Sequence, residues 1–320
     1  MKAVMFVPAP GGASVEVREI DAPKPSAGEA LVRVRAAGLN RGELVVRRSL
    51  RSGPPQQTGI EFAGEVAALG PGCSRVKAGD RVMGHWKGGQ AEYVACDERL
   101  LVPVPARLTW IEAGAWLNVF TTAHDAIVTN AGLRRGESIL VNAASSGIGV
   151  AALQIARLLG ARPVIASSRS KAKLEKLGAF GMDVGVAAGD TAAVLAATGN
   201  KGVDVLIDSV GGASAQANLE ATAILGRIVS VGRLGGNTSE IDLDLLAYKR
   251  AKLIGVTFRT RTKEERIACV QRCAEDLLSA LAEGRIGPVV HEVFPLAKIA
   301  AAHEAMERNE HLGKIVIELA

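Results

Sequence analysis

The residues best suited to chemistry lie within positions 138–150, where an apolar stretch runs into a turn rich in glycine and serine and then into a helical pattern. Glycines in such a turn let the backbone approach a pyrophosphate, and the helix N-terminus adds N–H groups and a partial positive charge. The match to G-x-G-x-x-G is incomplete, because Ala144 and Ser146 occupy its first two glycine positions. An ordinary tight turn is the alternative, but the strands and helices alternating around it favour dinucleotide binding. The residues predicted to contact the cofactor here are Ser145, Ser146, Gly147 and Ile148.

The end of the next predicted strand distinguishes NAD from NADP. An NAD site usually carries Asp or Glu at this point to bind the ribose hydroxyls. Positions 166–173 contain no acid and instead supply hydroxyls and cations. This set suits a 2′-phosphate, although a solvated basic helix start would have the same composition. The sequence therefore predicts NADPH, bound by Ser168, Arg169 and Lys173.

A second motif points to different chemistry. Tyr248 and Lys252 have the Y-x-x-x-K spacing of short-chain dehydrogenases, whose cofactor loop also resembles Ser-Ser-Gly-Ile-Gly. That catalytic pair needs one long helix to present both side chains on the same face. A strand-like run, Leu253–Phe258, begins directly after Lys252, so we interpret the pair as a coincidence.

The elements around these motifs change character near residue 118. The first 117 residues alternate in hydrophobicity and are punctuated by glycine and proline, which predicts a small β-rich domain. From 118 onward, strands alternate with helices, including a helix over 213–225 and a last strand over 253–258, which predicts βαβ units and a parallel sheet. After Thr262 a helical pattern extends to about Gly284, followed by short strands and a helix.

Composition limits the classes of function. The chain has 320 residues, 48% of them hydrophobic and 22% charged, which fits a globular protein of two domains. Aromatic residues make up only 3%, and the net charge of +5 is dispersed, which argues against nucleic acid as a partner. We find no apolar run long enough for a membrane span. Four cysteines are too few for a disulfide scaffold, so we expect a cytoplasmic protein.

Several short segments occur along the chain in a characteristic order. They are Ala37–Asn40, Gly59–Val66, Gly79–Val82, Ala91–Val94, Ala143–Gly149, Gly226–Val229, Ile254–Val256 and Gly313–Val316. In this order they resemble the zinc-free, zeta-crystallin-like quinone oxidoreductases of the medium-chain dehydrogenase/reductase superfamily. The resemblance implies an α/β fold, with a Rossmann-type doubly wound parallel sheet and a discontinuous β-rich GroES-like catalytic domain. It places the catalytic domain at 1–117 and 261–320 and the nucleotide-binding domain at 118–260.

The resemblance also bears on metal binding. Zinc alcohol dehydrogenases of the superfamily carry Cys where Asn40 stands and His where Ile60 stands, and neither replacement suits zinc. Only Cys96 lies in the region where some relatives have a four-cysteine lobe. Cys269 and Cys273 have helical spacing without a further ligand nearby in sequence. We therefore expect no metal.

Further site residues follow from the resemblance alone. It implies that Asn40 faces the nicotinamide and hydrogen-bonds an acceptor oxygen, and that Thr122 packs near the ring. The other cofactor-contacting positions it implies are Val231, Gly232, Phe258, Arg259 and Lys314. Gln90 and His124 depart from the family pattern, which has aromatic residues there, so the natural acceptor stays open.

Without a Lewis acid, reduction of a conjugated carbonyl is easier than oxidation of an alcohol, because the incoming charge spreads into a hydroquinone or enolate. The sequence thus predicts an NADPH-dependent reductase of quinones or other α,β-unsaturated carbonyls. One alternative is an enoyl-thioester reductase, with Arg47, Arg48 and Arg51 at the mouth of a pantetheine channel. Another is a crystallin-like protein that binds NADPH without turnover. The apolar last strand also predicts a homodimer that pairs at this sheet edge.

Overall fold

The computed structural model describes residues 1–319. The chain folds into two compact units. Unit 1 consists of Met1–Val119 together with residues 263–319, and unit 2 is Phe120–Thr262. Within the described residues, no helix combines the length and the apolar character needed to cross a membrane.

The N-terminal part of unit 1 is mainly β-structure. Its elements are β1 (Lys2–Val7), β2 (Ser14–Glu19), β3 (Glu29–Gly38), α1 (Arg41–Ser49), β4 (Gln56–Gln57), β5 (Phe62–Leu69), β6 (Arg81–Gly84), β7 (Tyr93–Asp97), β8 (Leu101–Pro103) and α2 (Trp110–Gly114). Helix α3 (Leu117–His124) carries the chain into unit 2 and continues as a π-helical turn at Asp125–Asn130.

Strands and helices alternate in unit 2. They are β9 (Ile139–Val141), α4 (Gly147–Leu158), β10 (Val164–Ser168), α5 (Lys171–Leu177), β11 (Val184–Ala187), α6 (Thr191–Ala197), β12 (Val203–Asp208), α7 (Ser214–Ala221), β13 (Thr222–Ser230), α8 (Leu243–Lys249) and β14 (Lys252–Gly255). The chain then returns to unit 1 through α9 (Lys263–Ala282), β15 (Val290–Pro295), α10 (Ile299–Arg308) and β16 (Lys314–Glu318).

The main sheet of unit 1 has the strand order β15-β16-β3-β5-β6-β8, with β7 also paired to β3. Strand β16 runs antiparallel to β3, and Val316 lies opposite Gly38. The N–H of Leu39 donates to the carbonyl of Ile315 at 2.9 Å, which extends this pairing past the end of β3. The register therefore brings Lys314 beside the Leu39–Asn40 segment.

The sheet of unit 2 is parallel, with the order β11-β10-β9-β12-β13-β14. The chain starts at β9, proceeds outward to β11, and then resumes on the other side at β12. This reversal is the switch point at which doubly wound sheets bind ligands beyond the carboxyl ends of their strands. The predicted parallel α/β sheet is confirmed.

Two element boundaries differ from the sequence prediction. The predicted helix over 213–225 ends at Ala221, and β13 already begins at Thr222. The Nζ of Lys249 donates to the carbonyls of Leu219, Glu220 and Thr222 at 2.6–3.0 Å, which satisfies carbonyls that a helix end leaves open. The predicted strand 253–258 is also shorter, because β14 ends at Gly255.

The Y-x-x-x-K pair is divided between two elements. Tyr248 lies in α8 and is 73% exposed, whereas Lys252 opens β14. Arg250 between them has a left-handed backbone that ends the helix. The two side chains therefore do not share a helix face, which agrees with the interpretation of this spacing as a coincidence.

Candidate functional site

The turn between β9 and α4 is built for close approach of a ligand. Ser146 caps α4, and its Oγ accepts the N–H of Gly149 at 3.1 Å. A Cβ at position 149 would come within 2.6 Å of the carbonyl oxygen of Ala143, so only glycine lets the helix pack this closely. The N–H groups of Gly147 and Ile148 belong to the first helical turn, which has no intrahelical acceptors. This arrangement fits a pyrophosphate.

The end of β10 lies beside this turn. The N–H of Ala144 donates to the carbonyl of Ser167 at 3.0 Å. Ser168 follows, with its Oγ accepting the N–H of Ser170 at 3.2 Å, and Arg169 is exposed. Lys173 lies in the first turn of α5 and is half-buried. The structure thus brings the two predicted halves of the cofactor site to one edge of unit 2, and the hydroxyls and cations fit a 2′-phosphate.

Asp208, at the end of β12, organises the neighbouring loops, and the sequence analysis missed it. Its carboxylate accepts the N–H groups of Val210 and Gly211 at 2.8 and 3.1 Å, while its carbonyl accepts those of Val231 and Gly232. Burial raises the pKa of this carboxyl, and the two N–H donors oppose the shift. The sequence offers a signal for this residue, because Asp208 is an acidic side chain at the end of the mainly apolar strand Val203–Asp208.

The segment after β14 carries Phe258 and Arg259. The guanidinium of Arg261 lies 4.7 Å from the centroid of the Phe258 ring and donates to the carboxylate of Asp125 at 2.7 Å. Asp125 is 2% exposed and begins the π-helical turn after α3, three residues beyond Thr122. The ion pair therefore ties the Phe258 segment to the helix that carries Thr122, within unit 2.

Asn40 and Lys314 belong to unit 1, where they form one buried network. The Nζ of Lys314 donates to the carbonyl of Leu39 at 2.9 Å, to the Oδ1 of Asn40 at 2.7 Å, and to the carboxylate of Glu61. Lys314 is 4% exposed and Glu61 is 1% exposed. Asn118, near the start of α3, donates its N–H to Glu61 at 2.9 Å and its Nδ2 to Asn40 at 2.7 Å.

Lys314 fixes the direction of the hydrogen bonds that run from it through Asn40 and Asn118 to His85. An ammonium can only donate, so the atom of Asn40 facing Lys314 is its oxygen. The Nδ2 of Asn118 must then face the same oxygen, which leaves the Oδ1 of Asn118 to accept from the Nε2 of His85 at 2.9 Å. Burial lowers the pKa of His85 to about 4, so the ring is neutral with its proton on Nε2.

The amide of Asn40 is fully engaged within this network. Its oxygen accepts from Lys314 and Asn118, and its Nδ2 lies 3.1–3.3 Å from oxygens of Gly38, Glu43 and Glu61. The three N–H donors of Lys314 likewise face three acceptors. In this arrangement both side chains hold unit 1 together, and the contacts to acceptor and cofactor that the resemblance implied stay predictions.

Glu43 is a second buried carboxyl in the network. Its oxygens accept from the Nδ2 of Asn40 and from the Nε2 of Gln90, the latter at 2.8 Å. Burial raises the pKa of Glu43 to about 8, although Lys314 and the two amide donors oppose the shift. Glu43 is therefore mostly protonated at neutral pH, and its O–H then needs an acceptor, which the Gln90 amide would offer by turning its unpaired Oε1 toward it. Gln90, noted as a departure from the family pattern, is the hydrogen-bond partner of this acid.

The residues at the expected metal positions do not fit zinc. Ile60 has no ligand atom, and the ammonium of Lys314 already faces both Asn40 and Glu61. A metal ion in this place would meet a positive charge. Within residues 1–319 no three His, Cys, Asp or Glu side chains are grouped as a metal site would require.

The structure gathers most predicted site residues in unit 2. Those at or just beyond the carboxyl ends of its strands are Ser145, Ser146, Gly147, Ile148, Ser168, Arg169, Lys173, Val231, Gly232, Phe258 and Arg259. Thr122 lies in α3 of the same unit, whereas Asn40 and Lys314 lie together in unit 1. The sequence analysis missed Glu43 and Asn118, and it noted Glu61 only as part of a motif.

Two family models match the chain. Residues 26–106 match the alcohol dehydrogenase GroES-like domain, and residues 147–275 match the zinc-binding dehydrogenase model. The β-rich unit 1 and the parallel sheet of unit 2 thus correspond to the GroES-like and Rossmann-like parts of the superfamily.

Individual relatives match nearly all of the chain or its full length. The quinone oxidoreductase of Rattus norvegicus is 30% identical over 94% of this chain and 92% of its own length. The crystal structure of an NAD-dependent alcohol dehydrogenase is 30% identical, with full coverage of both chains and a TM-score of 0.88. A mycobacterial protein solved with NADPH is 25% identical, again with full coverage of both chains and a TM-score of 0.89. The chain therefore belongs to the quinone oxidoreductase family of the medium-chain dehydrogenases/reductases, a family of oxidoreductases.

Proposed function

We propose that the protein is an NADPH-dependent, metal-independent oxidoreductase that transfers hydride to quinones or other α,β-unsaturated carbonyls. The observation that carries this proposal is the edge of unit 2, where the start of α4 and the end of β10 offer a pyrophosphate site next to hydroxyls and cations. The full-length similarity to a quinone oxidoreductase supports the class of acceptor.

The choice of NADPH rests on the end of β10. The 2′-phosphate would be held by Ser168, Arg169 and Lys173. Positions 166–173 lack the carboxylate that binds the ribose hydroxyls of NAD in an NAD site. One of the compared structures is a complex with NADPH and another is named as NAD-dependent, so the argument for NADPH depends on the two cations, Arg169 and Lys173, beside the end of β10.

The chemistry needs little from the protein besides placement. NADPH, when bound, supplies a hydride, and a quinone takes up this hydride and a proton to become a hydroquinone. Thr122 and the Phe258 segment would line the ring of the cofactor, held together by the Asp125–Arg261 ion pair. Asn40 would contribute by fixing the buried network of unit 1. Lys314 supplies the positive charge in that network, in the place where a metal ion would otherwise lie. This supports a reaction that does not depend on a metal.

Of the three arginines suggested for the enoyl-thioester alternative, Arg47 and Arg48 already make contacts within unit 1. Arg47 donates to the carbonyl of Ala13 and lies 3.9 Å from Glu307, and Arg48 donates to the same glutamate at 3.4 Å. These two side chains already serve contacts within unit 1, whereas Arg51, the third suggested residue, is exposed and would be available to a diphosphate.

The proposal includes a homodimer and a cytoplasmic location. Strand β14 is the edge of the unit 2 sheet, and Leu253 on it is 56% exposed. Large exposed apolar side chains are frequent in the same part of the chain, namely Ile224, Leu225, Leu234, Leu243 and Tyr248. A second copy paired at this edge would cover such a surface. The four cysteines are free thiols, as in a reducing compartment.

Steady-state oxidation of NADPH against quinones, enones and enoyl thioesters tests the function, with metal analysis of the same active sample. We expect turnover with quinones or enones and no metal in stoichiometric amount. Turnover confined to enoyl thioesters would overturn the assignment of the acceptor. Activity that tracks stoichiometric zinc would overturn the metal-independent mechanism.

A further inference from the structure

The topology of unit 2 determines in which direction a bound dinucleotide would extend. Its pyrophosphate fits the start of α4, which follows β9, and its 2′-phosphate fits the hydroxyls and cations after β10. In the sheet order β11-β10-β9-β12-β13-β14, the adenosine half would therefore lie on the β10 side of β9. A dinucleotide crosses the switch point of a doubly wound sheet. The nicotinamide half would consequently lie beyond the carboxyl ends of β12, β13 and β14.

Two arginines follow the ends of β13 and β14. These strands pair in parallel, with Ser230 opposite Gly255, and the N–H of Val256 donates to the carbonyl of Ser230 at 3.1 Å. Arg233 comes three residues after Ser230, and Arg259 comes four residues after Gly255. Both side chains are exposed, and neither guanidinium has a hydrogen bond or an ion pair in the part of the chain that the structure describes. Two cations without a counter-charge therefore lie at the nicotinamide end of the proposed cofactor site.

No acid directly follows these strand ends. Asp208 is the last residue of β12, but its carboxylate accepts two N–H groups of its own loop. Beyond it, Arg233 and Arg259 are the only charged residues in the segments that follow the three strands, namely 209–213, 231–236 and 256–260. This end of unit 2 is therefore positively charged.

The nicotinamide ring differs in charge between the two redox forms of the cofactor. It is neutral in NADPH, and loss of a hydride, which is a proton with two electrons, leaves one positive charge on the ring of NADP⁺. The pyrophosphate and the 2′-phosphate are the same in both forms. Cations near the ring therefore raise the free energy of bound NADP⁺ by Coulomb repulsion and have little effect on the neutral ring of NADPH.

We propose that Arg233 and Arg259 select the reduced cofactor over the oxidised one, and so promote the exchange of NADP⁺ for NADPH. The inference rests on the proposed function, because it takes a nicotinamide dinucleotide to bind at this edge of unit 2. It goes further by giving the two arginines a role that is separate from the phosphate contacts at Arg169 and Lys173. Repulsion between exposed charges about 7–10 Å apart would make this selection roughly tenfold for two cations.

Equilibrium binding of the two redox forms tests the selection without turnover. Calorimetry with the full chain should show NADPH binding about tenfold more tightly than NADP⁺. Arg233→Gln and Arg259→Gln should each lower this ratio about threefold by strengthening the binding of NADP⁺. The matched control is Lys201→Gln, which removes an exposed cation just before β12, at the opposite edge of the sheet, and should leave the ratio unchanged. Equal affinity for the two forms in the unaltered protein, or variants that weaken both forms alike, would overturn the proposal.

Adenosine 2′,5′-bisphosphate separates the two halves of the cofactor site. This compound lacks the nicotinamide half, so both arginine variants should bind it as tightly as the unaltered protein does. Equal binding would also show that unit 2 of each variant is correctly folded. Weaker binding of this fragment by either variant would place that arginine at the phosphates and contradict the proposed role.

The proposed function can fail separately from this inference. If NADH proves to be the cofactor, or if no quinone or enone is reduced, titrations with the matching reduced and oxidised forms still decide the inference, because the oxidised ring carries the same charge. If neither form of either cofactor binds, both proposals are wrong.

Discussion

The ammonium of Lys314 and the carboxylate of Glu61, 253 residues apart in the chain, form an ion pair that is almost completely buried in unit 1. Lys314 is the first residue of β16, and Glu61 immediately precedes β5. These two strands are the neighbours of β3 on its two sides. The pair joins the last strand of the chain to the β-structure of its first 70 residues.

Removing one partner of this pair should destabilise unit 1 strongly. Lys314→Met or Glu61→Gln should each lower the free energy of unfolding by about 3–5 kcal/mol, because each leaves an uncompensated buried charge. The double variant should lose clearly less than the sum of the two single losses. Trp86, Trp110 and Trp116 all lie in unit 1, so urea unfolding followed by tryptophan fluorescence reports on this unit. Additive losses would contradict the coupling.

Glu43 should make stability depend on pH on the alkaline side. Its folded pKa of about 8 exceeds the ordinary glutamate pKa of 4.5, so the native state binds more protons than the unfolded chain between these values. The stability this provides is fully present below about pH 4.5 and is lost as the pH rises through 8. Between pH 6 and 9 the loss should be roughly 3 kcal/mol. Glu43→Gln should flatten the dependence in fluorescence-detected unfolding, and an unchanged slope would refute this role.

The cations at the end of β10 should set the preference for NADPH. Titration should show NADPH binding at least tenfold more tightly than NADH, because a charge-assisted contact contributes about 1.5–3 kcal/mol. The double variant Arg169→Gln/Lys173→Gln should bring the two affinities together by weakening NADPH alone. Lys176→Gln, an exposed site on α5, is the matched control. Equal affinity in the unaltered protein would sink the prediction.

The edge strand β14 should hold the dimer. Leu253→Lys places a charge at a 56% exposed position and should yield a particle near the 33.2 kDa monomer mass in light scattering. Val293→Lys, at a 41% exposed position on β15, should leave the dimer intact. Val256 is unsuitable for this test, because it is 7% exposed and its N–H donates to Ser230 at 3.1 Å. An unaltered protein that is already monomeric would contradict the prediction.

The sequence predicted what depends on local pattern. The strand, turn and helix at 138–159 and the helix after Thr262 are confirmed, since periodicity and helix capping are visible in neighbouring residues. The predicted end of α7 was wrong, because the helix ends at Ala221 instead of continuing to 225. The carbonyls at this end are satisfied by Lys249, which lies almost thirty residues away in the chain. The pairing of Lys314 with Glu61, and the contact of Gln90 with Glu43, depend on strand register across the whole of unit 1. No short window of sequence contains that information.

The fixed polarity of the network around Asn40 has a consequence for proton movement. A proton wire needs members that release one proton while taking another, as water and hydroxyl groups do. Two links in this network are the amides of Asn40 and Asn118, and Lys314 fixes the orientation of both. The network therefore holds charge in place instead of conducting it. In the proposed reaction, the proton that completes reduction of the acceptor would arrive by a route that avoids these amides.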